Sequence, residues 1–295
     1  MNYASIKLFV FGEVLFDIFG GEKKLGGAPF NVAYNLKMQG LNPQLISRVG
    51  TDGLGAEILA FMNKSGMSTS LVKTDSSYDT GRVIVKLTNG EPEYDIRRHA
   101  AYDRITCDAD TSGAFIYYGT LAARETESKK TLLNILNSKN IKTFYDVNLR
   151  SGNWTHDLVS ELAHYANCIK LNLDELNLLT AECSGGTAEK CRYLIDKYGI
   201  AEVYVTCGAD GALFSDGSRV TASRRFIVED MHDTVGAGDA FSSVIIKGLI
   251  NGADREQSLN MASMYAAKIC SIQGALTKDK KFYIDIKEEI DAVFK

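Results

Sequence analysis

Short apolar runs and helix-spaced apolar positions alternate along almost the whole chain. Ile6–Val14 is apolar over the length of a strand, and Phe30–Met38 then carries its apolar residues at helical steps until Gly40. Gln44–Val49 reads as a strand and Ala56–Lys64 as a helix closed by Gly66. Farther on, Ala114–Tyr118, Thr143–Val147, Cys168–Leu171 and Val203–Cys207 are short apolar runs. Helical stretches over Ser128–Leu136, Leu158–Tyr165 and Ala188–Tyr198 fall between them. Strands joined by helices form crossover units whose strands run parallel and are covered on both faces. The pattern predicts an α/β fold with a mostly parallel sheet.

The last third is helical. Ala240–Ile250 is an apolar helical stretch, and Asp254-Arg-Glu-Gln257 has the spacing of a capping box. Behind it, Leu259, Ala262, Ala266 and Ile269 recur at three- and four-residue steps and give one apolar face.

One segment departs from this pattern. In Thr80–Ile96, Val83, Val85 and Leu87 alternate with polar residues, and Asn89-Gly90 is a strong hairpin signal. Phe16–Leu25 supplies a second exposed strand pair. Together they predict a small β-sheet standing off the main body, whose apolar face must be covered. A lid over a ligand cleft and a dimer contact both satisfy that need. The expected organisation is a single domain over 1–295 with a lid formed by about 13–29 and 78–100. The chain carries no internal repeat, low-complexity segment or linker.

Composition narrows the classes. With 295 residues, 45% of them hydrophobic, the chain can bury about three quarters of its unfolded surface without staples. A net charge of −4 and the lack of a long basic run argue against nucleic acid. The pairs Arg97–Arg98 and Arg224–Arg225 are too small to act as such a surface. The six cysteines, Cys107, Cys168, Cys183, Cys191, Cys207 and Cys270, contain no Cys-x-x-Cys. Neither a zinc site nor a disulfide framework is expected, and reduced cytoplasmic thiols are the simpler reading. The first residues read as a strand rather than a signal peptide, and no apolar run has membrane-spanning length.

The chemistry concentrates in Asp233–Phe241, DTVGAGDAF. Gly236, Ala237 and Gly238 leave backbone N–H groups bare at a helix N-terminus, where the positive end of the macrodipole adds to an anion site. Asp239 sits in the first turn beside them. A carboxylate there can accept a hydroxyl proton while the N–H groups hold a phosphoryl group. As an isolated residue it would read as a helix-start acid, which leaves the three small residues unexplained. The spacing is not that of a dinucleotide fingerprint, and the chain has no Walker A loop.

DTVGAGDAF resembles the C-terminal motif of the ribokinase-like family, the phosphofructokinase-B carbohydrate kinases. GEVLFD at Gly12–Asp17, LGGAPFN at Leu25–Asn31 and ISRVGTDGLG at Ile46–Gly55 resemble its N-terminal motifs. YYGTLAARE, FYDVNLR, KLNLDEL and VTCGADGA follow in family order, so the resemblance runs over nearly the whole chain. The GEVLFD, LGGAPFN and FYDVNLR forms are most similar to the fructokinase branch. Asp79, before Thr80-Gly81, stands where many relatives have Pro.

The resemblance implies a three-layer α/β/α domain with a small β-sheet lid, and ATP-dependent phosphorylation of a small sugar, fructose at its 6-hydroxyl. Asp239 would be the base, with Gly236, Ala237 and Gly238 stabilising the transferred group. Asp17, Gly26, Gly27 and Asn31 would contact the sugar, with Arg97 and Arg150 as further candidates and Phe16, Phe30 and Tyr94 as walls or packing. Asn172 and Glu175 would lie near Mg²⁺ and the ATP phosphates, Glu175 holding the metal through water. Thr206, Gly208 and Gly211 would form the nucleotide loop, with Ala262 and Ala266 beside adenine. A K⁺ site would use Asp233 and the carbonyls of Gly274-Ala275. A homodimer through the lid is compatible with this picture. The alternatives are a kinase of ribose, a 2-keto-3-deoxy sugar acid or a nucleoside, and a sugar- or nucleotide-binding protein without catalysis.

Overall fold

The structure is a computed structural model that describes residues 6–88, 91–228 and 230–294, with backbone alone for 85–88 and 91–94. The expected Asn89-Gly90 turn and the Tyr94 side chain lie outside the described residues.

The main sheet is built from β1 (Leu8–Phe11), β4 (Gln44–Gly50), β5 (Val72–Asp75), β8 (Phe115–Gly119), β9 (Lys142–Asp146), β10 (Cys168–Asn172), β11 (Glu202–Thr206), β12 (Ala212–Ser215) and β13 (Val220–Ala222). Its order is β13-β12-β11-β10-β9-β8-β1-β4-β5, parallel from β11 to β5 and antiparallel at β12 and β13. Alternate residues of each parallel strand enter opposite layers, as the pleat requires. Val10 and Tyr117 join a core with α1 (Ala28–Met38), α2 (Gly53–Lys64), α7 (Ala237–Asn251), α8 (Arg255–Ile269) and α9 (Lys280–Val293). Phe11 and Tyr118 join a second core with α3 (Thr126–Leu136), α4 (His156–Ala163), α5 (Leu173–Leu179) and α6 (Thr187–Tyr198). This is the three-layer α/β/α arrangement.

The helix ends follow local chemistry. Asp254 caps α8 by accepting from the Gln257 N–H at 3.0 Å, which is one half of the expected box. Thr155 caps α4 and Asp52 caps α2 in the same way. The strand expected over Ile6–Val14 divides, because β1 stops at Phe11 and the chain leaves the main sheet at Gly12.

The second sheet has the order β3-β2-β6-β7, with β2 (Leu15–Phe19), β3 (Glu22–Gly26), β6 (Gly81–Thr88) and β7 (Glu91–Ile96). The two exposed hairpins expected from sequence therefore join into one sheet. They meet through a parallel pairing that sets Leu15 against Gly81 and Asp17 against Val83. Leu15 and Phe16 are buried where β2 leaves the main body, while Phe19 at its far end is exposed. Exposed Glu22, Lys23 and Lys24 blunt the β3 edge against pairing with another chain.

Candidate active site

The N-terminus of α7 sits at the carboxyl ends of the parallel strands, where open α/β sheets bind ligands. Its N-cap, Gly236, has φ 81° and offers no side-chain cap. The Ala237 N–H turns back onto the Thr234 carbonyl at 3.3 Å, a long contact, while the Gly238 N–H finds no backbone acceptor among the described residues and is left for another partner. A side chain at Gly236 would also collide with Ala275, whose Cβ lies 2.5 Å from the added carbon. Gly238 is small for a different reason. A Cβ there would lie 2.9 Å from the buried Lys170 Nζ.

Asp239 follows in the first turn, and its Oδ2 accepts a hydrogen bond of 2.8 Å from Asn31 Nδ2 on α1. Burial at the cleft floor pushes its carboxyl up to about 6. The Asn31 hydrogen bond opposes that rise, Asp146 adds to it, and Lys170 and Arg150 oppose it. The result is a carboxylate ionised at neutral pH with a basicity suited to a general base. Asn31 Oδ1 is buried without a hydrogen-bond partner, a free acceptor next to that carboxylate.

Asp17 on β2 is half-buried, and burial raises its pKa against the pull of Arg150 and Lys24. Gly26 closes on it, since a Cβ there would lie 2.9 Å from Asp17 Oδ2. Gly27 begins α1 with φ 105°, and a Cβ would meet the Glu13 carbonyl oxygen at 2.7 Å. Arg150, exposed in the loop after β9, acts electrostatically on Glu13, Asp17 and Asp239 together. Arg97 is not brought to this group. It is 57% exposed, 3.9 Å from Asp95, and lines a separate cavity of about 380 Å³ with Arg82, Arg98 and His99. Phe16 and Phe30 are core residues, 2% and 0% exposed.

On the other side of the loop, Asn172 and Glu175 form a reciprocal capping box on α5. Glu175 Oε2 accepts from the Asn172 N–H at 2.8 Å, and Oε1 from the Leu149 N–H at 2.7 Å. Glu175 thus ties the Arg150 loop to the end of β10, and any metal contact uses lone pairs left over from that task. Thr206 ends β11, with Gly208 and Gly211 in the turn after it, closed by the Cys207 N–H donating to the Gly211 carbonyl at 2.8 Å. Ala262 is buried and Ala266 half-buried on α8, whose end is tied to the loop before Gly236 by the His232 N–H donating to the Cys270 carbonyl at 2.9 Å. Asp233 accepts from the Gly274 N–H at 2.8 Å and from the Val235 N–H at 2.9 Å, so it and the Gly274-Ala275 stretch are adjacent. Among the described residues there is no cluster of three or more His, Cys, Asp or Glu that could hold a metal unaided.

The sequence model of the pfkB family carbohydrate kinases matches residues 3–281. The chain belongs to the pfkB family of carbohydrate kinases. It is 28% identical to the 2-dehydro-3-deoxygluconokinase of Bacillus subtilis, over 83% of this chain and 80% of that protein. It is 25% identical to the fructokinase of Escherichia coli, over 92% and 96%. Among solved structures, a Xylella fastidiosa fructokinase with bound ATP superposes with a TM-score of 0.84 at 20% identity, over 97% of this chain and 99% of that one. This pfkB protein is therefore a sugar kinase, a phosphotransferase with an alcohol acceptor. No described helix is long and apolar enough to cross a membrane.

Three charged groups of the pfkB site escaped sequence reasoning. Glu13 is 4% exposed, its Oε2 has no hydrogen-bond partner, and burial pushes its carboxyl up to about 7. Asp146 and Lys170 form a buried ion pair. Each stood inside a recognised motif, and the available signal was a charge within or at the end of an apolar strand, where a burial cost must be offset.

Proposed function

We propose that the protein transfers the γ-phosphoryl group of ATP to a hydroxyl of a small sugar, fructose at its 6-hydroxyl being the first choice. The observation that carries this reading is the pairing of an uncapped helix N-terminus with a hydrogen-bonded carboxylate, Asp239, in its first turn. The sugar oxygen forms a bond to the γ-phosphorus as the bond to ADP breaks, and the hydroxyl proton passes to Asp239. The N–H groups of Gly236 and Gly238, joined by that of Ala237 as it gives up its long contact to the Thr234 carbonyl, hold the transferring oxygens. Asp17, Asn31 Oδ1 and the backbone at Gly26 and Gly27 position the sugar, while Arg150 offers its guanidinium to an oxyanion. Thr206, Gly208 and Gly211 form the nucleotide side, with Ala266 on the helix beside it.

Mg²⁺ would supply charge neutralisation on the phosphates. The donor set fits a metal carried on phosphates and waters with Glu175 behind it, rather than an all-protein cage. Asp233 and Gly274-Ala275 are the proposed K⁺ site. The four-stranded sheet, within 13–29 and 78–100, serves as a lid that excludes water and as the surface on which a homodimer would form. A cytoplasmic setting suits ATP and six free cysteines.

A second reading has its own observation. The cavity lined by Arg82, Arg97, Arg98 and His99 at the root of β6 and β7 suits an acidic sugar. ADP release measured against a panel of neutral sugars, 2-keto-3-deoxy sugar acids and nucleosides, with and without K⁺, separates these readings. Release with fructose above all others is expected. Release with the sugar acid alone would favour the second reading, and no release with any acceptor would defeat both.

A further inference from the structure

Beneath the anion loop lies an ion pair that the reaction above does not use. Lys170 is the middle residue of β10, and its side chain is 8% exposed. Its Nζ donates to Asp146 Oδ1 at 3.1 Å and Oδ2 at 3.4 Å. Asp146 is fully buried and also accepts from the Tyr117 hydroxyl at 3.3 Å and the Ser242 hydroxyl at 2.8 Å. The carboxylate is thus held by three residues, and the ammonium by one. An ammonium carries three N–H donors, and among the described residues Asp146 is its sole recorded hydrogen-bond acceptor. The free side of this cation faces the loop, because Nζ sits 2.9 Å from the place a Gly238 Cβ would take.

Burying such a pair in the centre of a sheet costs more than an apolar residue of the same volume would. Packing alone does not account for it. Burial works against the Lys170 charge, and Asp146 outweighs it with help from Glu175 and Asp239, so Lys170 stays protonated well into the alkaline range.

We propose that Lys170 is a positioning residue of the phosphoryl-transfer site, a cation clamped by Asp146 under Gly238 that offsets charge on the transferring group and helps keep Asp239 ionised. This rests on the reaction proposed above. The groups facing Asp239 are Asp146 from β9, Lys170 from β10, Tyr117 from β8, Glu13 from the turn after β1, Arg150 from the loop after β9 and the neutral Asn31 from α1. Asp146 raises the Asp239 pKa and Lys170 lowers it, so the two partners have opposite signs.

That opposition gives the test. The acid limb of kcat/KM, and the Asp239 carboxyl followed by carbon-13 NMR in the unliganded protein, are measured in Lys170→Met and in Asp146→Asn. The limb and the carboxyl titration should move to higher pH in Lys170→Met and to lower pH in Asp146→Asn. If either single variant fails to fold, Lys170→Met/Asp146→Asn, which removes both charges at similar volume, decides. It should lower kcat by at least about tenfold, with a smaller change in the KM for ATP. Unmoved limbs, limbs moving in one common direction, or a folded double variant with wild-type kcat would overturn the role of Lys170. A wild type that phosphorylates no acceptor defeats the reaction assignment instead, while the NMR titration still reports on Lys170.

Discussion

Asn31 and Asp239 face each other across the two helices that frame the cleft, with the amide donating to the carboxylate at 2.8 Å. The contact is the first rung of a ladder. Four-residue steps along α7 then bring Ser243 and Lys247 to Gln39, the C-cap of α1 eight residues beyond Asn31, with Gln39 Nε2 against Ser243 Oγ at 2.7 Å and Lys247 Nζ against the Gln39 carbonyl at 2.9 Å. The register of the helices is therefore fixed by polar contacts, and the position of the proposed base with it.

Removing the Asn31 amide takes away a hydrogen bond that favours the ionised form of Asp239. Asn31→Ala should move the acid limb of kcat/KM to higher pH and lower its plateau by about tenfold or more. A limb at its wild-type position would separate Asn31 from the protonation of Asp239.

Asp239 titrates near 6, so turnover should fall with unit slope below that pH as the base takes up a proton. Asp239→Asn should abolish that limb and reduce kcat by about 10²- to 10⁴-fold. ATP affinity, read by calorimetry, should stay within a small factor of wild type. Wild-type turnover in this variant would remove Asp239 from the mechanism.

Glu13 carries its consequence in stability. Its carboxyl rises from 4.5 to about 7 on folding, so the folded protein holds a proton that the unfolded chain has lost between those values. The stabilisation is fully present below the unfolded pKa and disappears as pH rises through 7. Its full extent is on the order of 3 kcal/mol. Glu13→Gln removes the titration, so its stability relative to wild type, from urea melts, should increase between pH 5 and pH 8. A difference that is flat with pH would show that Glu13 ionises normally.

Gly27 is held at φ 105° against the Glu13 carbonyl. Gly27→Ala combines backbone strain with a contact of 2.7 Å to a backbone oxygen. The expected cost is about 1–3 kcal/mol, visible as a lowered melting temperature, with a raised KM for the sugar. A variant that melted like wild type would mean the turn relaxes freely.

The alternating pattern carried most of the main sheet, because strands buried on both faces must be apolar throughout. It passed over β5, β12, β13, α5 and α9: the three strands have three or four residues and α5 seven, too short to show a period, and α9 is exposed along much of its length. The proposed base and anion loop stood out in the sequence because Gly-Ala-Gly before a helix is costly without a ligand. Glu13 and Lys170 did not, since their importance lies in what surrounds them after folding, namely an unpartnered oxygen in one case and a backbone overhead in the other. Arg97 was conspicuous in sequence by its charge, and the chain sets it near Asp95 in the cavity it shares with Arg82, Arg98 and His99.

The parallel pairing of β2 with β6 bears on how the protein comes into being. Leu15 meets Gly81 only after the chain between them has laid down α1, β4, α2 and β5. The small sheet's hairpins β2-β3 and β6-β7 form locally, and the pairing that joins them must wait for the intervening loop to close. The sheet's far end is exposed, with Phe19 open to solvent. Its amides should exchange with solvent through partial opening while those of β1, β8 and β9 wait for global unfolding.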